Sequence, residues 1–380
     1  MKERHFGFPI MIRLSKCFVS ELEKDMISDV LDQEHLGMGS YVKLFEKKLT
    51  KFFKNDVATV INGTTGLMLA LQAVGVKKGD EVLVQSITYL ASFQAISALG
   101  AKPIPCDIGE DFTISLNDAA TKLTKKTKVI MPVHYAGDPG NLNEIYKFAK
   151  KNNLRVVEDA AHAFGSTYKK RVIGSFGDVV CFSFDGIKNI TCGEGGCIVS
   201  SDKDVIKKIK DSRLLGVEND TDKRYSGQRS WDFDVLNQGW RAHLSNINAG
   251  IGIVQLKKFK KIKRLRQGLA RYYDKCLAEI DGMRKIDRDY DEVVPHIYPV
   301  ILNEGIDREG LRNYLTQNNI ETGAHYLPNH FLTFYGKKKY KLSYTEKIYD
   351  RVLTLPLHPT VTRKDIDLIC KNISVFLNGS

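Results

Sequence analysis

Residues 182–196 read FSFDGIKNITCGEGG, with a single lysine, Lys188, set between an apolar run and a glycine-rich turn. The residues leading into it, Val179-Val180-Cys181-Phe182-Ser183-Phe184, have the composition of a buried strand. A lysine beside such a wall loses hydration, so its pKa falls and its amine becomes a usable nucleophile. That is the setting of a Schiff-base lysine. A plainer arrangement is open on this stretch alone: a strand-end lysine whose stem lies on apolar surface and whose head reaches water.

Outward from this segment, short apolar runs alternate with helical patterns between about residues 57 and 200. VATVI (57–61), EVLVQ (81–85), KVIMPV (128–133), LRVVED (154–159), DVVCFSF (178–184) and CIVSS (197–201) read as strands. Strands of this two-faced apolar kind, alternating with helices, predict an α/β domain with a largely parallel sheet. Ligands of such sheets sit beyond the carboxyl ends of the strands. Beyond Gly239, the stretch 244–280 reads as one long or kinked helix. A strand at 296–302, a helix at 307–318, a strand at 320–326 and a final helix follow, which make a smaller α+β domain. The expected domains are 11–260 and 261–380, divided within a helix and without a flexible linker.

The chain has 380 residues, 43% hydrophobic and 27% charged, which suits a soluble globular protein of one large and one smaller domain. No apolar run reaches the length of a membrane span. The opening MKERHFGFPIMIRLSK has too little apolar length for a secretory signal. Seven cysteines form no CxxC pair, so reduced thiols and a cytoplasmic setting are expected. The net charge of +12 raises the question of nucleic acid, and LKKFKKIKRLRQ at 256–267 is its densest basic run. Leu256, Phe259, Ile262 and Leu265 recur there at near-helical spacing, so the bases read first as a solvated helix face. An anion-steering surface is the second reading, and no nucleic-acid signature accompanies the run. Walker, HExxH, cysteine-cluster and GxSxG motifs are all absent from the sequence, and no metal is expected.

Three further segments carry chemistry. INGTTGL (61–67) marks a strand-to-helix junction where Gly63 lets the backbone turn and the amides of Thr64 and Thr65 open the helix. Free amides at a positive dipole end can cradle phosphate, although a capped helix after a tight turn looks the same. VVEDAAHAFGS (156–166) places Asp159 at a strand end and His162 three residues on. A carboxylate against a pyridinium nitrogen keeps that nitrogen protonated, which makes the ring an electron sink. SITYLAS (86–92) puts Tyr89 at another strand end, where it can fill core or stack on a planar group. Together these pieces meet the needs of pyridoxal phosphate, and each sits at a junction where a ligand belongs.

On these residues the chain resembles the DegT/StrS family of sugar aminotransferases, pyridoxal-phosphate enzymes of the aspartate-aminotransferase fold (fold type I). The likeness runs through EHLGMGSYVKLFEKKL (34–49), GDEVLVQSITY (79–89), VIMPVHYAG (129–137), VVEDAAHAFGS, FSFDGIKNITCGEGG, LSNINAGIGIVQL (244–256), GAHYLPNH (323–330) and LPLHP (355–359). It implies that Lys188 carries the cofactor, that Asp159 pairs with the pyridinium, and that His162 lies near the phenolic oxygen. It further implies that Tyr89 stacks on the ring and that Thr64, Thr65 and Ser183 hold the phosphate. His325, Tyr326 and His330 match a segment near the substrate. The implied assembly is a homodimer whose active sites take residues from both chains.

By the same resemblance the reaction is transamination from an amino acid, glutamate being the expected donor, to a nucleotide-linked keto sugar. The TCGEGG turn is similar to that of relatives acting at C4 of a 4-keto-6-deoxy sugar, with C3 amination as the alternative. Relatives that dehydrate sugars carry histidine where this chain has Lys188. A regulatory binding protein on this fold would normally add a DNA-binding domain. One departure stands out: where many relatives read G-Y-N-Y-R-M-S, residues 239–245 read GWRAHLS. The family asparagine that reaches a neighbouring subunit's cofactor phosphate aligns with Arg241, so the expectation is that this guanidinium takes the contact.

Overall fold

The computed structural model describes residues 11–229, 231–235, 237–336 and 339–379. Residues 1–10, the first part of the opening read above against a secretory signal, lie outside them. Seven strands form the main sheet: β1 (Asp56–Val60), β2 (Glu81–Gln85), β3 (Lys102–Cys106), β4 (Thr127–Met131), β5 (Arg155–Asp159), β6 (Val179–Ser183) and β7 (Gly196–Ser200). Their spatial order is β1-β7-β6-β5-β4-β2-β3. All neighbours pair parallel except those of β7, which runs against both β1 and β6, so that Gly196 faces Val60 on one side and Ser183 on the other. Helices cover both faces, which is why β2, β6 and β7 are buried along their whole length and read as continuous apolar runs.

The two-residue period of β5 and β6 sorts side chains between the faces. Val156, Val180 and Phe182 enter one core, whereas Val157, Val179 and Cys181 enter the other. The first core is an aromatic cluster around Phe164, whose ring stacks on Phe52 at 5.1 Å and meets Phe259 edge-on at 5.0 Å. Helix Ser40–Phe53 supplies the stripe Val42, Phe45, Leu49 and Phe53 to it. Gly165 adopts φ +81° in the turn after Phe164, and a Cβ there would stand 1.9 Å from Phe259 Cζ. Gly165→Ala is therefore expected to destabilise the protein by about 3 kcal/mol through overpacking and a left-handed alanine. The midpoint of urea unfolding reads this directly, and a midpoint equal to wild type would contradict it.

Helix Asn246–Leu277 is 32 residues long and joins the two halves of the chain. Phe259 and Ile262 pack into the core of the main sheet, and Leu269, Ala270, Tyr273 and Leu277 pack into that of a second, antiparallel sheet. This sheet consists of β8 (Met283–Lys285), β9 (Tyr298–Leu302) and β10 (Val352–Leu355), with β9 in the middle. Two expectations differ from the structure here. Residues 12–14, placed by sequence in the first domain, bond to the second: Ile12 bridges Ile320, and the Leu14 carbonyl accepts from Leu357 N–H. Their apolar side chains find cover there, since Ile12 packs on the small core. The segment 320–326 is not a strand but makes isolated bridges from Ile320 to Ile12 and from Gly323 to Thr354, after which it turns inward.

Among the described residues no helix is long and apolar enough to cross a membrane.

Candidate active site

At the carboxyl ends of β5 and β6 lies a cavity of 450 Å³, within the range of small-molecule sites. Asn62, Gly63, Thr64, Tyr89, Asp159, His162, Ser183, Lys188, Glu194, His296, His325 and Tyr326 are on its wall. Lys188 stands at the first turn beyond β6. Its neighbour Asn189 is buried and donates to the carbonyls of Phe164 and Val294 at 3.3 and 3.1 Å, which anchors the turn. The glycine-rich stretch that follows is held from the long helix, where Asn248 donates to the carbonyls of Cys192 and Glu194 at 2.9 and 2.7 Å. Glu194 thus serves the turn through its backbone while its carboxyl group faces the cavity. Burial and then Asp185 raise that carboxyl above its usual range.

Burial is the largest influence on Lys188 and brings its amine down to about 8, against the pull of Asp185 and Asp159 and with a further push from Arg266. Lys188 Nζ lies 3.3 Å from His296 Nε2. The His296 ring packs on that of His162 at 4.5 Å, and His162 Nε2 lies 3.1 Å from the Tyr326 hydroxyl. Burial, followed by the nearby Lys188 charge, holds both imidazoles well below their ordinary range. His325 is pushed down to about 4 by the same two causes. At neutral pH all three rings are uncharged acceptors and donors.

Glu158 and Asp159 are adjacent carboxylates that the strand sends to opposite faces. Glu158 turns away from the cavity to accept from Tyr146 at 2.6 Å and to meet His134 at 3.0 Å. Asp159 faces it, with Oδ2 accepting from Ser92 at 2.7 Å and Oδ1 from the Ala161 N–H at 3.2 Å. Both oxygens are therefore oriented by neighbours on rigid elements. Across the cavity, Gly63 opens helix Gly63–Ala73, and a Cβ there would lie 2.8 Å from Ser183 Cβ. That close approach brings the helix N-terminus and the end of β6 together as one wall.

Nine of the eleven residues singled out by sequence have a clear place relative to this cavity: Lys188, Asp159, Thr64, Tyr89, His162, Ser183, His325 and Tyr326 line it, and Thr65 flanks it. The Thr65 amide is taken up by the capping side chain of Asn62 at 2.8 Å, so of the two threonines only Thr64 faces the space. His330 is elsewhere. It is fully buried, bonded to Ser86 Oγ at 2.7 Å and to Glu346 Oε1 at 3.2 Å, and it ties β2 to the small-domain segment rather than facing a ligand. Arg241 is exposed and outside its own chain's cavity, on an extended segment that bridges Leu214. Sequence reading missed His296, Asn62, Ser92 and Asn248. The polar tip His296 just before the apolar run IYPVIL, and Asn62 at the cap position of INGTTGL, were the local signals available.

The chain matches the DegT/DnrJ/EryC1/StrS aminotransferase family over residues 19–374. It is 35% identical over 362 residues to the GDP-perosamine synthase of Escherichia coli O157:H7, covering 93% of this chain and 95% of that one. It is 31% identical over 393 residues to the spore coat polysaccharide biosynthesis protein SpsC of Bacillus subtilis, covering 100% and 99%. Among solved structures it superposes with a TM-score of 0.90 on a putative sugar aminotransferase of Streptococcus pneumoniae in its PMP form, at 26% identity and with 97% and 99% of the two chains covered. The same streptococcal protein is also known in a PLP form. The chain belongs to the DegT/DnrJ/EryC1/StrS aminotransferase family. Its class is that of the sugar aminotransferases.

Proposed function

We propose that this sugar aminotransferase moves an amino group from glutamate to C4 of a nucleotide-linked 4-keto-6-deoxyhexose. The observation that carries the reading is a buried lysine amine, lowered to about 8, sharing one strand-end cavity with a doubly anchored carboxylate. The residues present fit pyridoxal phosphate. His162 Nδ1 and His296 Nδ1 are buried polar atoms without partners at the cavity, and the Gly63–Ser183 contact leaves a helix N-terminus open to an anion. When bound, the cofactor supplies an aldehyde that joins to amines and a pyridinium ring that withdraws electrons.

The chain's own groups take defined parts in this reading. Asp159 holds the proton on the ring nitrogen, and Ser92 with the Ala161 amide keeps its carboxylate from rotating away. Thr64, Ser183 and the dipole of helix Gly63–Ala73 bind the phosphate. Tyr89 and His162 flank the ring. The Lys188 amine, brought down to about 8, has a free-base fraction at neutral pH and would carry a proton between the donor's α-carbon and the cofactor's aldehyde carbon. His325 and Tyr326 bound the space left for the sugar. The GDP-linked name of one relative and the polysaccharide role in another support a nucleotide-linked acceptor.

A panel of nucleotide-linked 3-keto and 4-keto sugars, offered with glutamate, tests the assignment by mass and NMR of the product. Amination of a 4-keto-6-deoxy sugar is expected. Exclusive use of 3-keto sugars would move the reaction to C3, and loss of water without nitrogen transfer would make the chain a dehydratase.

Two copies share their active sites in this reading, and Arg241 reaches the partner's cofactor phosphate. Its exposure and its place outside the home cavity fit that part. Arg241→Ala is expected to weaken cofactor retention roughly tenfold, the scale of one lost charge-assisted bond. Mixing Arg241→Ala with Lys188→Ala subunits is expected to restore activity, because one site of a hybrid dimer then has both residues intact. Absence of recovery after subunit exchange would mean that Arg241 serves its own chain's site, or none.

A further inference from the structure

Arg266 is a buried guanidinium without an ion pair. It sits on the long helix at 2% exposure, and among the described residues no carboxylate reaches it. The two other arginines with well-buried side chains are compensated: Arg213 pairs with Glu46 and Arg288 with Asp138. Arg266 instead bonds only to carbonyls. Nη1 donates to His296 O at 3.0 Å, Leu357 O at 3.2 Å and Pro295 O at 3.4 Å, and Nη2 donates to Ile187 O at 3.4 Å. Nε has no partner. An unpaired charge so far from water is costly, and an apolar side chain of similar length would fill the same space.

The carbonyls it gathers come from three separate segments. Ile187 precedes Lys188, His296 contacts the Lys188 amine, and Leu357 follows β10 in the small domain. A planar fork can serve several carbonyls at once, which an ammonium on a flexible stem does less well. We propose that Arg266 is a positioning residue for Lys188: it pins the Lys188 turn and His296 to the segment after β10, and it places a fixed, uncompensated positive charge on the carbonyls of Ile187 and His296, the residues that precede and contact Lys188. Burial leaves the guanidinium at about 10, still charged at neutral pH.

The charge acts against other groups that face the amine. Asp185 on the same turn and Asp159 at the end of β5 favour the protonated amine; Arg266 opposes them. His162, His296 and His325 are held neutral, and Tyr89, Tyr326 and Glu194 complete the cavity wall. Removing the positive charge of Arg266 therefore makes protonation of Lys188 easier, so its titration moves upward and less free base remains at neutral pH.

The test is a pH titration of Lys188 in the cofactor-free full-length chain. Acetic anhydride labels free amines, and mass spectrometry of the Lys188 peptide reads the labelled fraction against surface lysines. Wild type is expected to be half-reactive near pH 8. Arg266→Gln keeps donors for the carbonyls without the charge and is expected to raise that midpoint by about one pH unit. Arg266→Met serves if the Gln variant does not fold. Arg266→Lys keeps charge without the fork; it is expected to hold the midpoint near wild type while the first half-reaction of the loaded enzyme slows about tenfold. An unchanged midpoint in Arg266→Gln would overturn the proposal. Equal upward shifts in the Gln and Lys variants would also overturn it, since they would point to a packing defect rather than a charge. The proposal rests on Lys188 as the reacting amine, but the labelling uses neither sugar nor donor, so it fails or stands independently of the substrate reading.

Discussion

Lys188→Ala is expected to retain pyridoxal phosphate and to lose turnover by about four orders of magnitude, the scale of a lost general base that acts on every proton transfer. Retention is expected because the groups proposed to hold the cofactor, Asp159, Thr64, Ser183 and Tyr89, are separate side chains on other elements. Among the described residues no imidazole of the cavity is a ready substitute base. His296 is the closest imidazole to the amine, but burial and the Lys188 charge hold its basicity far below the ordinary range. His162 and His325 are depressed in the same way. Single-turnover formation of 2-oxoglutarate from glutamate measures the loss, and absorbance of the protein after gel filtration measures retained cofactor. Turnover within about tenfold of wild type would remove Lys188 from the mechanism.

Asp159→Asn is expected to slow the same half-reaction by about 10²- to 10³-fold, as for other buried electrostatic partners of a developing charge. The substitution keeps size and one acceptor, so the hydrogen bond from Ser92 can survive while the negative charge is lost. The loss should fall on the proton-transfer step, and it should appear as a lower rate at saturating glutamate rather than as a higher KM. A deuterium isotope effect with α-deuterated glutamate is expected to grow, because that step becomes more fully rate-limiting. Near-normal half-reaction rates would mean that Asp159 only supports the turn around Ala161. Glu158→Gln is the contrast: it lies on the other face of β5 among Tyr146 and His134, so its effect should be on folding stability.

Much of this site was legible because its strongest signals are local in the chain. Lys188, Asp159, Ser183 and Tyr89 each sit where an apolar run ends, and chain ends of parallel strands converge in space whatever their separation in sequence. The strand period likewise decides between Glu158 and Asp159, although the choice needs to know which face carries the cavity. His330 was not legible in the same way. HYLPNH offers two histidines five residues apart, and only packing shows that His325 turns to the cavity while His330 is drawn under Ser86 and Glu346. The strand expected at 320–326 failed for a related reason: its backbone partners are residues 12 and 354, far away in sequence and too few to continue a ladder.

The sequence by itself determined the α/β alternation, the lysine at the end of a buried strand, the carboxylate one strand away and the helix that joins two cores, because each is written as a periodicity or a junction within a few residues. Tertiary structure alone decided how basic that lysine is. Its amine is lowered by burial under segments from both halves of the chain, against the pull of Asp185 and Asp159, and lowered further by Arg266, whose four carbonyl partners lie between 29 and 91 residues away. The apolar run before Lys188 signals the direction of that shift, but how complete the desolvation is and which unpaired charge adds to it depend on what surrounds the group in three dimensions.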